Sequence, residues 1–333
     1  MNILIIRFSA LGDLVTLEPT FRAFRYFYPL AQIDFLTSGI GKGLYEDSDY
    51  FDNFIVKKSL ISKIAQIRKK HYDIIFNLQC NRPSHIVTLL AKKDKLIDKS
   101  YTILQKFFNL KPDEYDIEKM LIKSGIKQNE FDKYKNIKNF SKIKMPYIEN
   151  KNIKNLLKKN FEDKKLIAIA TGTSKRWLSK KWGKENFSNL IELLKEKYGI
   201  ILIGSSLELE DAKYITNIHN NILNMVNKTS LTELKSLLSY MDLFIGNDSG
   251  PTHIAASLGV STVTIFGSTS TIHCPKLIFK DKPHFCIKPS QKIECHPCYK
   301  SKCPTKHECM QDIKPKMIYN VIEKYFKEKN ELT

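Results

Sequence analysis

Short β-branched runs alternate with stretches of helical period along most of the chain, the pattern of parallel sheets wrapped by helices. In the first half "NILIIRF" is a near-continuous apolar strand, and a helix is predicted from about Pro19, whose fixed φ suits a first turn, with Phe21, Phe24 and Tyr28 at helical spacing. "QIDFLTS" and "NFIV" follow as strands, then a helix carrying Leu60, Ile64 and Ile67, then "YDIIFNL" as a further strand. Residues 126–165 lose this rhythm; they are rich in Lys and Asn, with no Gly and a single Pro. A domain junction is therefore predicted at about residues 150–160. Beyond it come strand "KLIAIATG", a helix "KENFSNLIELLKEKYG" ending at Gly199, strand "IILIGS", a helix through Ala212 and Ile215, and helix "SLTELKSLLSYM". "DLFIGND", a short helix and "STVTIFGS" complete the series. The expected fold is α/β, with doubly wound parallel-sheet units over residues 1–155 and 156–314 and a final helix within 315–333.

A chain of 333 residues, 42% hydrophobic, supplies two medium cores, which excludes disorder, collagen and mini-protein scaffolds. No window reaches about 18 uncharged apolar residues. The opening "MNILII" meets Arg7 and Asp13 before it can form a signal-peptide core, so a soluble cytoplasmic chain is expected. The net charge of +19 invites a nucleic-acid reading. Of the 54 basic residues, however, only six are Arg (7, 22, 25, 68, 82 and 176), leaving 48 Lys spread along the chain with Asn and Ile. Base readout and bidentate phosphate clamps favour Arg. The expectation is a solvated basic surface with some pull toward anionic membranes or glycolipids, and no nucleic-acid partner.

The turn "RFSALGD" leaves the carboxyl end of the first strand, where doubly wound sheets bind ligands. Gly12 permits close approach there, and Asp13 is either a helix cap or a carboxylate base. "GIGKG", Gly39 to Gly43, has neither the dinucleotide nor the Walker spacing and is read as a loop. In "DLFIGNDSGPTHIAASLGVSTVTIFGST" a strand ends at Asp248, Ser249 and Gly250 turn, and Pro251 opens a helix closed by Gly259. Free N–H groups at that helix start form a phosphate site, to which Ser249 adds a hydroxyl and His253, one turn in, a donor. In "GTSKRWLSKKWGKENF" Lys180 is placed to meet a diphosphate as a point charge while Trp182 packs the loop down. Glu208 and Glu210 stand where an acidic residue commonly holds ribose hydroxyls.

Seven cysteines, 80, 274, 286, 295, 298, 303 and 309, are an odd number and argue against a disulfide framework. Cys295-x2-Cys298-x4-Cys303-x5-Cys309, with His296 and His307 nearby, has the spacing of a small zinc knot. Reduced thiols packing a loop are the favoured reading and structural zinc the alternative.

Taken together, Arg7-x-Ser9-x-x-Gly12-Asp13, Lys180-x-Trp182 and Asp248-Ser249-Gly250-x-x-His253 resemble, in order along nearly the whole chain, the bacterial lipopolysaccharide heptosyltransferases of glycosyltransferase family 9. The resemblance implies the GT-B architecture: two Rossmann-like domains facing a cleft, acceptor on the first and ADP-heptose on the second. It implies inversion at the anomeric carbon with no catalytic metal and no cofactor. Asp13 is then the general base, and Lys180, Asp248, Ser249, Gly250 and His253 bind the donor diphosphate. Glu208 takes the ribose, with Glu210 as its alternative; Arg7, Ser9 and Gly12 shape the cleft, and Arg82 meets an anionic acceptor such as Kdo-lipid A or heptosylated core. A monomer working peripherally at the cytoplasmic face of the inner membrane is implied. "ATGTSKRW" departs from the Pro-Gly turn of many relatives, and Asn77 stands where Asp is common. Two rivals stay open: transfer from another nucleotide-linked sugar, and a sugar-nucleotide epimerase with two similar domains.

Overall fold

A computed structural model describes residues 1–56, 59–98, 117–137, 142–279 and 282–331. They form two compact units, Met1–Tyr147 and Ile148–Thr333. The first holds five parallel strands, β1 (Asn2–Ile6), β2 (Gln32–Thr37), β3 (Asn53–Val56), β4 (Tyr72–Asn77) and β5 (Lys93–Asp98), in the order β3-β2-β1-β4-β5. Strand β1 is central, with Ile5 opposite Phe35 on one side and Phe76 on the other. A strand paired on both edges and covered on both faces needs apolar residues at successive positions, which is why "ILII" does not alternate. Helix Glu18–Phe27 covers one face: Phe21 packs on Phe35, Tyr45 and Phe51, and Phe24 stacks on Phe76.

The second unit holds β6 (Leu166–Ala170), β7 (Gly199–Ile203), β8 (Leu223–Asn224), β9 (Leu243–Asn247), β10 (Ser261–Ile265) and β11 (His284–Ile287), all parallel, in the order β11-β10-β9-β6-β7-β8. Its core gathers Ile169, Ile245 and Val263 from the sheet with Trp182, Phe187 and Leu190.

Several expectations need correcting. The junction falls between Tyr147 and Ile148, not at 155, which lies inside helix Lys151–Phe161. That helix buries Ile153, Leu157 and Phe161 in the second unit, and Asn150 N, at its cap, donates to Ser236 Oγ at 2.8 Å. Segment 142–147 belongs to the first unit because buried Glu18 accepts from Lys144 N at 2.9 Å and Arg22 donates to the Lys142 carbonyl at 2.6 Å. The final helix, Pro315–Glu331, is not a separate element. Its Ile318, Ile322, Tyr325 and Phe326 are part of the second core, with Phe326 stacked on Tyr198.

Residues 39–43 are helical, not a loop: helix Gly39–Tyr45 starts at Ser38, whose Oγ accepts from Gly41 N, and buries Leu44 and Tyr45. Tertiary packing thus overrides the low helix propensity of glycine. Gly41 is required there, because a Cβ would stand 2.0 Å from Thr37 Oγ1. Helix Lys184–Leu194 ends before Gly199, which instead opens β7. Finally, Cys274 and Cys286 are disulfide-bonded where free thiols were expected; one precedes helix Pro275–Ile278 and the other lies on β11, with Cα atoms 6.2 Å apart.

Because the last helix completes the second core, Ile322→Ala is expected to destabilise the protein by about 2–5 kcal/mol, measured by denaturant unfolding. A change near zero would mean that the helix is only an appendage.

Candidate functional site

Each sheet has one point at which strand order reverses, β1/β4 in the first unit and β6/β9 in the second. Loops leaving two neighbouring strands in opposite directions open a crevice there, the usual ligand site of such sheets. Apart from Glu208 and Glu210, which follow β7, the predicted residues lie on the segments after these four strands.

In the first unit Arg7 follows β1 and is buried, its guanidinium donating to the Leu78 carbonyl at 2.6 Å and to Asp13 Oδ2 at 2.7 Å. Asp13 is the third residue of helix Leu11–Thr16, and the same Oδ2 accepts from Ala10 N at 3.0 Å. The capping contact and the ion pair therefore share one oxygen. Oδ1 accepts nothing among the described residues, and the side chain is 55% exposed. The carboxylate is thus fixed in orientation with one oxygen open to take a proton. Gln79, which the sequence did not single out, ties the loop to the end of β4: its Oε1 accepts from Phe8 N at 2.8 Å and Ser9 N at 3.2 Å. Asn77, fully buried, orients the turn by accepting from Gln79 N and Cys80 N, each at 3.3 Å. Ser9 is exposed, Gly12 lies within the first turn, and Arg82 is exposed at the start of helix Arg82–Leu90. Arg82 is joined to none of Arg7, Ser9 or Asp13 by a hydrogen bond.

In the second unit Lys180 closes the 3-10 turn Leu178–Lys180 after β6, and its Nζ lies 2.6 Å from Asp248 Oδ2 at the end of β9. Asp248 also accepts from Thr269 Oγ1 at 2.7 Å. Asp248 therefore holds the Lys180 ammonium from one side. Lys180 also lies over the Trp177 ring, 5.2 Å from its centroid. Trp182 packs the loop down as expected: it is buried, its Nε1 donates to the Ile313 carbonyl at 2.8 Å, and its ring meets Phe187 edge-on. Buried Asn247 locks the same loop, donating to the Thr171 and Gly172 carbonyls and accepting from Trp182 N.

Ser249 precedes helix Gly250–Ser257 but does not cap it; its Oγ is buried and has no hydrogen-bond partner. Ser38, Ser59, Ser205, Ser230 and Ser270 each accept a backbone N–H from the turn they open. The helix start next to Asp248, and so to Lys180, thus keeps a buried hydroxyl that caps nothing, an arrangement that suits an anion. His253 lies one turn in and is partly buried.

Glu208 is buried, and its Oε2 accepts from Ser205 N at 2.7 Å and Ser205 Oγ at 2.8 Å in a capping box. It lies between the ends of β6 and β7, so close to Gly172 that a Cβ there would stand 2.0 Å from Oε1. Glu210 is exposed on the following helix, whereas Glu208 is buried at the end of β7.

Cys295, Cys298, Cys303 and Cys309 line one enclosed cavity of about 10 Å³ together with Ser179, Ser268, His296 and His307. Among the described residues no group of three His, Cys, Asp or Glu side chains is disposed in this structure to share a metal ion. Burial and three neighbouring sulfurs push the Cys309 thiol up to about 11. Burial also opposes ionisation of Cys303, but hydrogen bonds from the Thr305 side chain and from backbone at Thr305 and His307 outweigh it and hold that thiol below its ordinary value.

The family described as glycosyltransferase family 9 (heptosyltransferase) matches residues 61–309. The chain is 31% identical over 174 residues to lipooligosaccharide heptosyltransferase 2 of Campylobacter jejuni, an alignment covering 48% of this chain and 51% of that protein. It is 28% identical over 291 residues to lipopolysaccharide heptosyltransferase 1 of Campylobacter coli, covering 81% and 84% respectively. It thus spans about half the length of the first relative and most of the second. The solved structure of E. coli ADP-heptose lps heptosyltransferase II superposes with a TM-score of 0.71 at 19% identity, covering 99% of this chain and all of that one. The two-sheet architecture is accordingly that of the GT-B heptosyltransferases.

The contrast between the two thiols is expected to appear in alkylation. Iodoacetamide at about pH 8 should modify Cys303 well before Cys309 in the folded protein, read by peptide mass spectrometry. Equal rates would overturn the assigned environments.

Proposed function

Because the chain belongs to glycosyltransferase family 9, the heptosyltransferases, we propose that it moves L-glycero-D-manno-heptose from ADP-heptose to the inner core of lipopolysaccharide, with inversion at the anomeric carbon. The observation that carries this reading is the uncapped start of helix Gly250–Ser257 beside the Lys180–Asp248 pair, at the switch point of the second sheet. An amide-and-hydroxyl cradle with an adjacent cation is built for a diphosphate leaving group.

In the proposed reaction an acceptor hydroxyl oxygen attacks the anomeric carbon as the bond from that carbon to the diphosphate oxygen breaks. The hydroxyl proton passes to Asp13 through its open Oδ1, while Arg7 and Ala10 N hold Oδ2 still. The electron pair of the broken bond leaves with the diphosphate, stabilised by Lys180, Ser249, the N–H groups of the helix start and His253. Asp248, itself held by Thr269, keeps Lys180 oriented and yields part of its charge to the ligand. Glu208 receives a ribose hydroxyl. Arg82, exposed on the first unit, meets phosphate or carboxylate on the acceptor. The net charge of +19 draws the protein to an anionic lipid surface, and no described helix is long and apolar enough to cross a membrane.

Purified protein is expected to turn over ADP-heptose with a Kdo-lipid A type acceptor. Turnover only with UDP- or GDP-linked sugars would replace the donor, and epimerisation without any acceptor would replace the reaction. Asp13→Ala should lower kcat by about 10²–10⁴-fold while ADP affinity stays within about threefold of the parent. Survival of turnover within a few fold would remove Asp13 as base.

A further inference from the structure

Lys180 is held at both ends. Its ammonium meets Asp248, which Thr269 also binds. Its backbone is held through the preceding residue, Ser179, which is almost fully buried. Ser179 N donates to the Ser301 carbonyl at 3.1 Å, and its Oγ contacts Ser268 Oγ at 2.9 Å and the Lys300 carbonyl. The Ser179 carbonyl faces His307 Nε2 at 2.6 Å, across 128 residues of sequence. A carbonyl can only accept, so Nε2 carries the proton.

The backbone of His307 supports a dedicated role for this ring. It stands in the left-handed region, φ 65° and ψ 34°, which is unfavourable for a non-glycine residue. It precedes helix Glu308–Asp312, yet its side chain makes no capping bond there. The imidazole is therefore engaged with the Lys180 turn and not with its own helix. The same segment reaches the other half of the charged group: Tyr299 N donates to the Ser268 carbonyl at 2.8 Å, next to Thr269. One loop thus braces both the residue beside Lys180 and the residue beside the hydroxyl that orients Asp248.

We propose that His307 is a positioning residue for the donor diphosphate: its Nε2–H fixes the Ser179 carbonyl and thereby sets where the Lys180 ammonium is presented. The inference rests on the reading of Lys180 as the diphosphate cation. Lysine is a point charge on a flexible four-carbon stem, so its placement depends on the backbone that carries it and on the partner at its tip. Asp248 and Thr269 supply the second constraint, and His307 supplies the first. His307 needs no contact with the nucleotide to act in this way.

The test is calorimetric titration of the full-length protein with ADP, alongside steady-state kinetics and thermal melting. Lys180→Ala is expected to weaken ADP binding by about tenfold or more, as for loss of a charge-assisted contact. His307→Ala should weaken it by about three- to tenfold, the range of one lost hydrogen bond, and raise KM for the donor more than it lowers kcat. His307→Gln, whose amide nitrogen can take the place of Nε2, should recover most of the loss. Alanine and glutamine carry a similar backbone penalty at this position, so their difference isolates the donor group. The double variant should bind ADP no more weakly than Lys180→Ala alone, because both changes act through one ammonium. If His307→Ala does not fold, His307→Asn serves instead: asparagine tolerates the left-handed backbone but is too short to reach the carbonyl.

Parent-like ADP affinity in both His307→Ala and His307→Asn, with Lys180→Ala weakened, would overturn the positioning role and leave the donor reading standing. Additive losses in the double variant would make His307 a general structural residue and also overturn it. Unchanged affinity in Lys180→Ala would remove the donor reading itself.

Discussion

A parallel strand covered on both faces carries charge at low cost only near its ends or where a partner meets it, as Lys70 and Tyr72 meet Asp34 in β2. This constraint shapes the whole protein. Strands β1, β4, β6 and β9 are apolar almost throughout, and the side chains able to do chemistry collect in the few residues after them: Arg7 and Asp13, Gln79, Lys180, and Asp248 with Ser249. The reversal of strand order then decides which strand ends are neighbours. Arg7 reaches Leu78, and Lys180 reaches Asp248, because β1 adjoins β4 and β6 adjoins β9.

Two ion pairs sit at these strand ends, and they differ in a useful way. In Arg7–Asp13 the cation is buried and the carboxylate is largely exposed; in Lys180–Asp248 the carboxylate is the more buried partner. Sequestered pairs of this kind add little net stability, since desolvation offsets much of the Coulomb attraction. Their consequence is geometric. The buried partner is fixed by packing and backbone hydrogen bonds, and it presents the more accessible partner in a set direction. On the first unit the presented group is a carboxylate, a proton acceptor; on the second it is an ammonium, an anion partner.

Central strands were legible in the sequence because burial on both faces writes them as continuous apolar runs. The edge strands β5 ("KDKLID"), β8 and β11 ("HFCI") were not, since one open edge relaxes that demand and lets lysine, aspartate or histidine in. The helix over Gly39–Tyr45 was hidden by its three glycines, whose poor propensity is outweighed by the Ser38 cap and the burial of Leu44 and Tyr45. At the site, Asp13, Lys180, Asp248 and Ser249 could be named because each follows a recognisable strand or turn. Gln79, Thr269, Ser179 and His307 could not. Their role lies in contacts spanning 71 residues for Gln79 and Phe8 and 128 for His307 and Ser179, and no local pattern records such a partner.

The silent hydroxyl of Ser249 has a thermodynamic consequence beyond recognition. A helix start left without its cap forgoes about 1 kcal/mol that other serines of this chain secure for theirs. Whatever completes the start of this helix supplies the missing bond as it binds. Occupancy and melting temperature are consequently linked, so resistance to heat becomes a gauge of which metabolite the crevice was shaped to hold.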